Sequence, residues 1–108
     1  MYHPEYVSDL PLDVYSHVVM IAKSYHQTKG RLAQYEGVQP QQAVHRWQIE
    51  SIEQVWQSFS SQIERSFIEQ HFFQNIRMAH IDLPLSISTM KRTRAKFLRA
   101  LARKLGLY

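Results

Sequence analysis

The chain has 108 residues, 44% of them hydrophobic, and no cysteine. That suits one compact domain, or one domain with an accessory helical arm, and it excludes disulfides, thiolate metal sites and a cysteine nucleophile; the missing thiols fit a reducing cytosol. The net charge of +4 hides a polarity, because residues 1–76 hold five Lys/Arg against eight Asp/Glu (−3) and residues 77–108 hold eight against one (+7). Clustered cations gain affinity for a polyanion by releasing counterions from its phosphates, although a solvated basic face has the same composition. No apolar run approaches the roughly 18 residues that cross a bilayer, and no apolar stretch with a basic flank opens the chain. A soluble protein without membrane contact is expected.

Three glycines, four prolines and no sustained alternation of polarity predict an almost wholly helical chain. The first ten residues carry no period and are expected to fray. Pro11 stands where a helix can start, and Leu12, Tyr15, Val18, Val19, Ala22 and Tyr25 recur at steps of three and four. Residues Gln27 to Tyr35 either continue this helix or form a second short one, since Gly30 costs about 1 kcal/mol in a helix interior without forbidding it. Gly37-Val38-Gln39-Pro40-Gln41-Gln42 reads as a linker, so residues 1–36 form an N-terminal helical arm.

From Ala43, the positions Val44, Trp47, Ile52, Val55, Trp56 and Phe59 predict a helix of about four turns ending near Ser58, with both tryptophans on its buried face. Ser61-Gln62-Ile63-Glu64 has the form of a capping box. The helix it opens carries Ile63, Phe67, Ile68 and Phe72 on one face and runs out around Phe73 to Asn75. Ile76 to Leu83 is then long enough for a two-turn helix with Ile76, Ala79 and Leu83 inward, stopped because Pro84 disfavours helical geometry at the residue before it. Ser86 can cap the next helix by accepting from the amide of Ser88 or Thr89, and Gly106 can stop it after about Lys104. Met90, Thr93, Phe97, Leu98, Leu101 and Leu105 make its inner stripe, with Lys91, Arg92, Lys96, Arg99 and Arg103 outside it.

A helix stop, a tight turn, a helix start and a basic amphipathic helix are the parts by which a helix-turn-helix presents its second helix to DNA. Ile87, Ser88, Thr89, Lys91 and Arg92 occupy the first turn and a half of that helix. Serine and threonine can donate to phosphate or base, and Lys91 and Arg92 can pair guanine acceptors or hold phosphates. Arg94, Lys96 and Arg99, with Arg77, are expected at the backbone. Taken singly, each is better read as a cap neighbour or a solubilising cation; as a set they favour DNA.

Other chemistry has little support in the residues. The six histidines include no His-x3-His pair, so neither a metal nor a cofactor is expected. Glu50/Glu53 and Glu64/Glu69 read as helix-surface carboxylates, and no phosphate loop, nucleophile elbow or Ser-His-Asp order is present, so a non-enzyme is expected. The aromatics at helical spacing read as core.

The order of these elements is similar to region 4 of the bacterial sigma-70 family. More closely, it resembles the phage late-gene transcription activators of the RinA-like and ArpU-like type, which share the size, the helical arm before a linker, and a Leu-Gly-Leu type C-terminus, here Leu105-Gly106-Leu107. Counted from Ser86, the apolar positions of the sigma pattern fall on Met90, Thr93, Phe97, Leu98 and Leu101. Its Leu-Gly-Ile/Val-Ser turn falls on Leu83-Pro84-Leu85-Ser86, and its aromatic pair resembles His71-Phe72-Phe73. Pro84 replaces the usual glycine or polar residue, and His80 stands where alanine is usual, so a distorted two-turn helix is expected.

The resemblance implies an all-α bundle. A sigma region 4-like DNA-binding domain would span residues 43–108, with its helix-turn-helix at 60–105, joined through the linker 37–42 to the arm. It implies a sequence-specific transcriptional regulator of double-stranded DNA, a phage or prophage late-gene activator acting in the cytoplasm of a bacterial host. It also implies contact with RNA polymerase, for which Glu50, Glu53, Glu64 and Glu69 are the candidate surface. The apolar face of the arm packs either on the bundle or on a second copy, giving a homodimer. Two alternatives stand beside this: a non-catalytic protein–protein adaptor whose basic helix docks an acidic partner, and a small phage DNA-packaging subunit.

Overall fold

Pro11 is extended, with φ −55° and ψ 148°, and its carbonyl accepts the first helical bond from the Tyr15 amide at 2.9 Å. Helix α1 therefore starts at Leu12 and runs to Lys23. The computed structural model describes residues 10–34 and 40–108, with the backbone alone at 40 and 41. The expected frayed end, apart from Leu10, and the first half of the expected linker lie outside the described residues.

Ser24 resolves whether the first helix continues. Its hydroxyl donates to the Met20 carbonyl at 2.7 Å, and such back-bonding competes with the helical ladder and bends the chain. Helix α2, Tyr25–Ala33, follows at once. Helix α3, Pro40–Ser58, begins with proline at its first position, where the missing N–H has no helical partner to lose. Pro40 to Gln42, expected as linker, are thus its first turn.

Ser61 caps α4, Gln62–Ile68, by accepting from the Glu64 amide at 3.2 Å. The Glu64 carboxylate in turn accepts from the Thr93 hydroxyl of the last helix at 3.2 Å. The chain then widens into a π-turn, Glu69–Phe73. Its consequence is that two successive phenylalanines both enter the core in different directions. Phe72 meets Phe97 at 5.1 Å between ring centroids, while Phe73 stacks on Tyr25 at 4.3 Å and stands edge-on to Trp56 at 5.5 Å.

The expected two-turn helix from Ile76 to Leu83 is not formed. Asn75 takes the left-handed conformation, φ 58°, which ends the preceding helix, and Arg77 is extended. Between those residues and Pro84 only a single 3-10 turn remains, Met78–His80. Ile76 and Leu83 still pack on the core, but Ala79 is exposed. The Leu83 carbonyl accepts from the Leu85 amide at 2.7 Å across Pro84, a γ-turn suited to proline's restricted φ.

Helix α5, Ile87–Lys104, ends in a Schellman motif: Gly106 is left-handed (φ 73°), its amide reaches the Arg103 carbonyl at 3.1 Å, and the Leu107 amide reaches Ala102 at 2.9 Å. All six residues expected on its inner stripe are buried, together with Ala95 and Ala102. The helix packs against α1, α3, α4 and the 3-10 turn, so it is the spine of an all-helical bundle with no strand among the described residues. Leu10, Val18, Ala22 and Tyr25 belong to the same core as Phe67, Phe72 and Phe97. The apolar face of the arm accordingly packs on the bundle. Burial of one such aromatic contributes about 1.5–3 kcal/mol, more than an exposed ion pair, so this shared core is what docks the arm.

Some expected core positions face solvent. Trp47 is 45% exposed and Val44 54%, because α3 begins to bury apolar side chains only at Ile49; Leu12 and Ile63 are exposed as well. Trp56 is half-buried, and its indole donates to the Arg65 carbonyl at 2.9 Å. Among the described residues, no helix is long and apolar enough to cross a membrane.

Candidate nucleic-acid interface

The start of α5 is held by a small hydroxyl cluster. Ser86 accepts from the Thr89 amide at 3.1 Å, satisfying one of the orphan donors of the first turn, and its hydroxyl lies 2.9 Å from that of Thr89. The Arg92 guanidinium donates to the same Thr89 hydroxyl at 3.2 Å. Thr89 is thereby spent on the local structure, half-buried, while Ile87, Ser88 and Arg92 are exposed. The helix-start geometry expected from the sequence is present.

The rest of the basic helix sorts by angle. At 3.6 residues per turn, the buried positions of α5 occupy an arc of about 200°, and Ser88, Arg92, Lys96, Arg99 and Arg103 fall together within about 80° on the opposite side. Arg92, Lys96 and Arg103 are exposed and Arg99 is half-buried. Lys91 falls within the buried arc, between Leu98 and Ala102, and is half-buried. The Lys96 ammonium sits 5.0 Å from the ring centroid of Phe59, so its stem crosses the edge of the core before the charge reaches solvent. Arg103 stands 5.7 Å from the Tyr108 ring. From Ile87 to Tyr108 the chain has no acid, so this stripe has one sign of charge.

Arg94 departs from the phosphate-contacting place expected for it. It falls inside the buried arc and turns toward α1, donating to the Tyr15 hydroxyl and, at 3.0 Å, to His71 Nε2. Its guanidinium lies 5.4 Å from the Tyr15 ring and 5.5 Å from the Phe72 ring. His71 Nδ1 lies 2.9 Å from the Ile76 carbonyl. The neutral tautomer that satisfies both contacts carries its proton on Nδ1 and accepts at Nε2. Burial first, and then the positive charges of Arg94 and Lys23, depress the His71 pKa below the ordinary histidine value, with the Ile76 bond acting the other way. Arg77, exposed, precedes the 3-10 turn that packs on α5.

Arg103 is the stripe residue not among the expected contacts. Its signal was available: positions 88, 92, 96, 99 and 103 step by four, four, three and four. His17 and His45 line a cavity of about 260 Å³ between α1–α2 and α3, floored by Ile21, Ile49 and Ile52. Among the described residues, no group of three or more His, Cys, Asp or Glu side chains gathers as metal ligands. Compared with protein-family models, with curated proteins and with solved structures, the chain matches none.

Proposed function

We propose that this protein binds double-stranded DNA through α5 and acts as a transcriptional regulator of the sigma region 4-like kind, a phage or prophage late-gene activator. The observation that carries the reading is the Ser86-capped helix whose outward face is a single-sign stripe beginning at Ser88 and Arg92. Ile87, Ser88 and Arg92 supply the base-reading end, and Lys96 and Arg99, with Arg77 on the neighbouring turn, supply phosphate contacts. Thr89 orients Arg92 through its hydroxyl, and Lys91 flanks the reading end. The short prop before the turn is a 3-10 turn in place of a helix, a departure from the sigma pattern that leaves the start of α5 uncovered.

Duplex titration by fluorescence anisotropy tests this. Wild type is expected to bind at low salt and to prefer sites selected from the genome it comes from. Replacing Lys91 and Arg92 with alanine should weaken selected-site binding at least tenfold, whereas removing two cations elsewhere, Lys23 and Arg46, should change it little. Equal losses from the two double variants would refute base reading by this helix.

A second reading, a protein contact made by self-association or with RNA polymerase, draws on the exposed Trp47 and Val44 at the start of α3. A monomer mass at high concentration, together with no retention on polymerase, would remove it.

A further inference from the structure

We infer that α5 lies along the DNA backbone over its whole length, with Arg103 at its far end contacting phosphate as Lys96 does nearer its start. This rests on the DNA-binding reading and changes what it predicts. A recognition helix that works by its tip needs its leading turns clear of the protein, and its later turns need no particular charge. In α5 the buried arc extends over the whole helix, from Met90 to Leu105, so less than half of its circumference faces outward. That face keeps the same charge from end to end.

Arg92 and Arg103 are eleven residues apart, which is about 16 Å along the axis at 1.5 Å per residue. Lys96 and Arg99 fill the interval on the same side. A straight cationic ridge of that length matches several successive phosphates of one strand, and a helix so deeply embedded is kept at the level of the phosphates beyond its first turn. The ridge accordingly supplies affinity without regard to sequence, and discrimination is confined to Ile87, Ser88 and Arg92. At the far end the Tyr108 ring beside Arg103 supports the guanidinium.

The rival explanation of Arg103 is that cations suit the negative end of a helix dipole. Lys104 separates the two. It sits in the same last turn and serves the dipole equally, yet it points about 100° away from Arg103 and lies off the ridge.

The experiment is the salt dependence of duplex binding by the full chain, comparing wild type with Lys96→Gln, Arg103→Gln and Lys104→Gln, all exposed positions. Each lost phosphate contact lowers the slope of log affinity against log salt by about 0.9, which is about threefold less loss of affinity between 50 and 200 mM salt. Lys96→Gln and Arg103→Gln should each show that change and act equally on selected and random duplexes; Lys104→Gln should keep the wild-type slope. If Arg103→Gln behaves like Lys104→Gln while Lys96→Gln still loses a contact, DNA binding stands and lengthwise docking fails. If wild type binds no duplex at low salt, both fall.

Discussion

Two tyrosine hydroxyls fasten the N-terminal helices to the bundle with different chemistry. On α1, Tyr15 accepts from Arg94, whose remaining contacts are a neutral imidazole and two ring faces. On α2, Tyr25 donates to the Glu53 carboxylate at 2.5 Å and accepts from Lys29 at 3.0 Å, while Lys29 pairs directly with Glu53 at 2.8 Å. The second cluster has the full ion pair, yet the Lys29 side chain is 55% exposed and Glu53 36%, so water and salt screen it. The first has no carboxylate partner among the described residues but is half-buried, where hydrogen bonds to a charged group are stronger and their loss leaves polar atoms stranded. Strength of attachment here follows exclusion of water more than formal charge pairing.

The sharpest way to break this contrast is Arg94→Ala, which strands Tyr15 and His71 together. We expect it to lower stability by about 2–3 kcal/mol, read as a shift in the urea midpoint, and a loss below about 0.5 kcal/mol would mean the cluster does not hold α1. Smaller, at about 1–2 kcal/mol, is Tyr15→Phe, which removes one acceptor from the guanidinium and keeps the ring.

Acid separates the clusters by pH. The folded-state pKa of His71 is depressed, so its contribution is complete above the ordinary histidine value near 6.5 and is lost as pH falls from there toward the lower folded value. The added proton would face the Arg94 guanidinium. The Glu53 pKa is lowered chiefly by the Lys29 bond and then by the Tyr25 bond, so the α2 cluster holds until pH falls below the ordinary carboxylate range. A stability-versus-pH curve should therefore decline first below about pH 6.5, and His71→Gln should abolish that early decline while leaving the later one. The least effect is expected from Lys29→Ala, less than about 1 kcal/mol and diminishing with added salt.

The residues that α5 turns inward were readable because its period is clean, and so was its cap, since Ser86 precedes the first apolar repeat. The inward partners of Arg94 were not legible, because a charged residue in an apolar arc gives no sign of them: Tyr15 lies 79 positions earlier in the chain. Trp47 and Val44 fit the helical period of α3, yet period says which face they share, not how far along the helix the neighbours extend. Counting residues from Ile76 to Leu83 left room for two helical turns, but a left-handed Asn75 and an extended Arg77 took up that room.

Helical class, the boundaries of α5, its buried stripe and the charge polarity of the chain all came from local spacing, because an amphipathic helix writes its own geometry at 3.6 residues per turn. The docking of the arm on the bundle, the inward turn of Arg94 and the π-turn that admits Phe72 and Phe73 were decided only in three dimensions. Each depends on which distant surface excludes water from a given side chain, and that is a property of packing, absent from any stretch of sequence read alone.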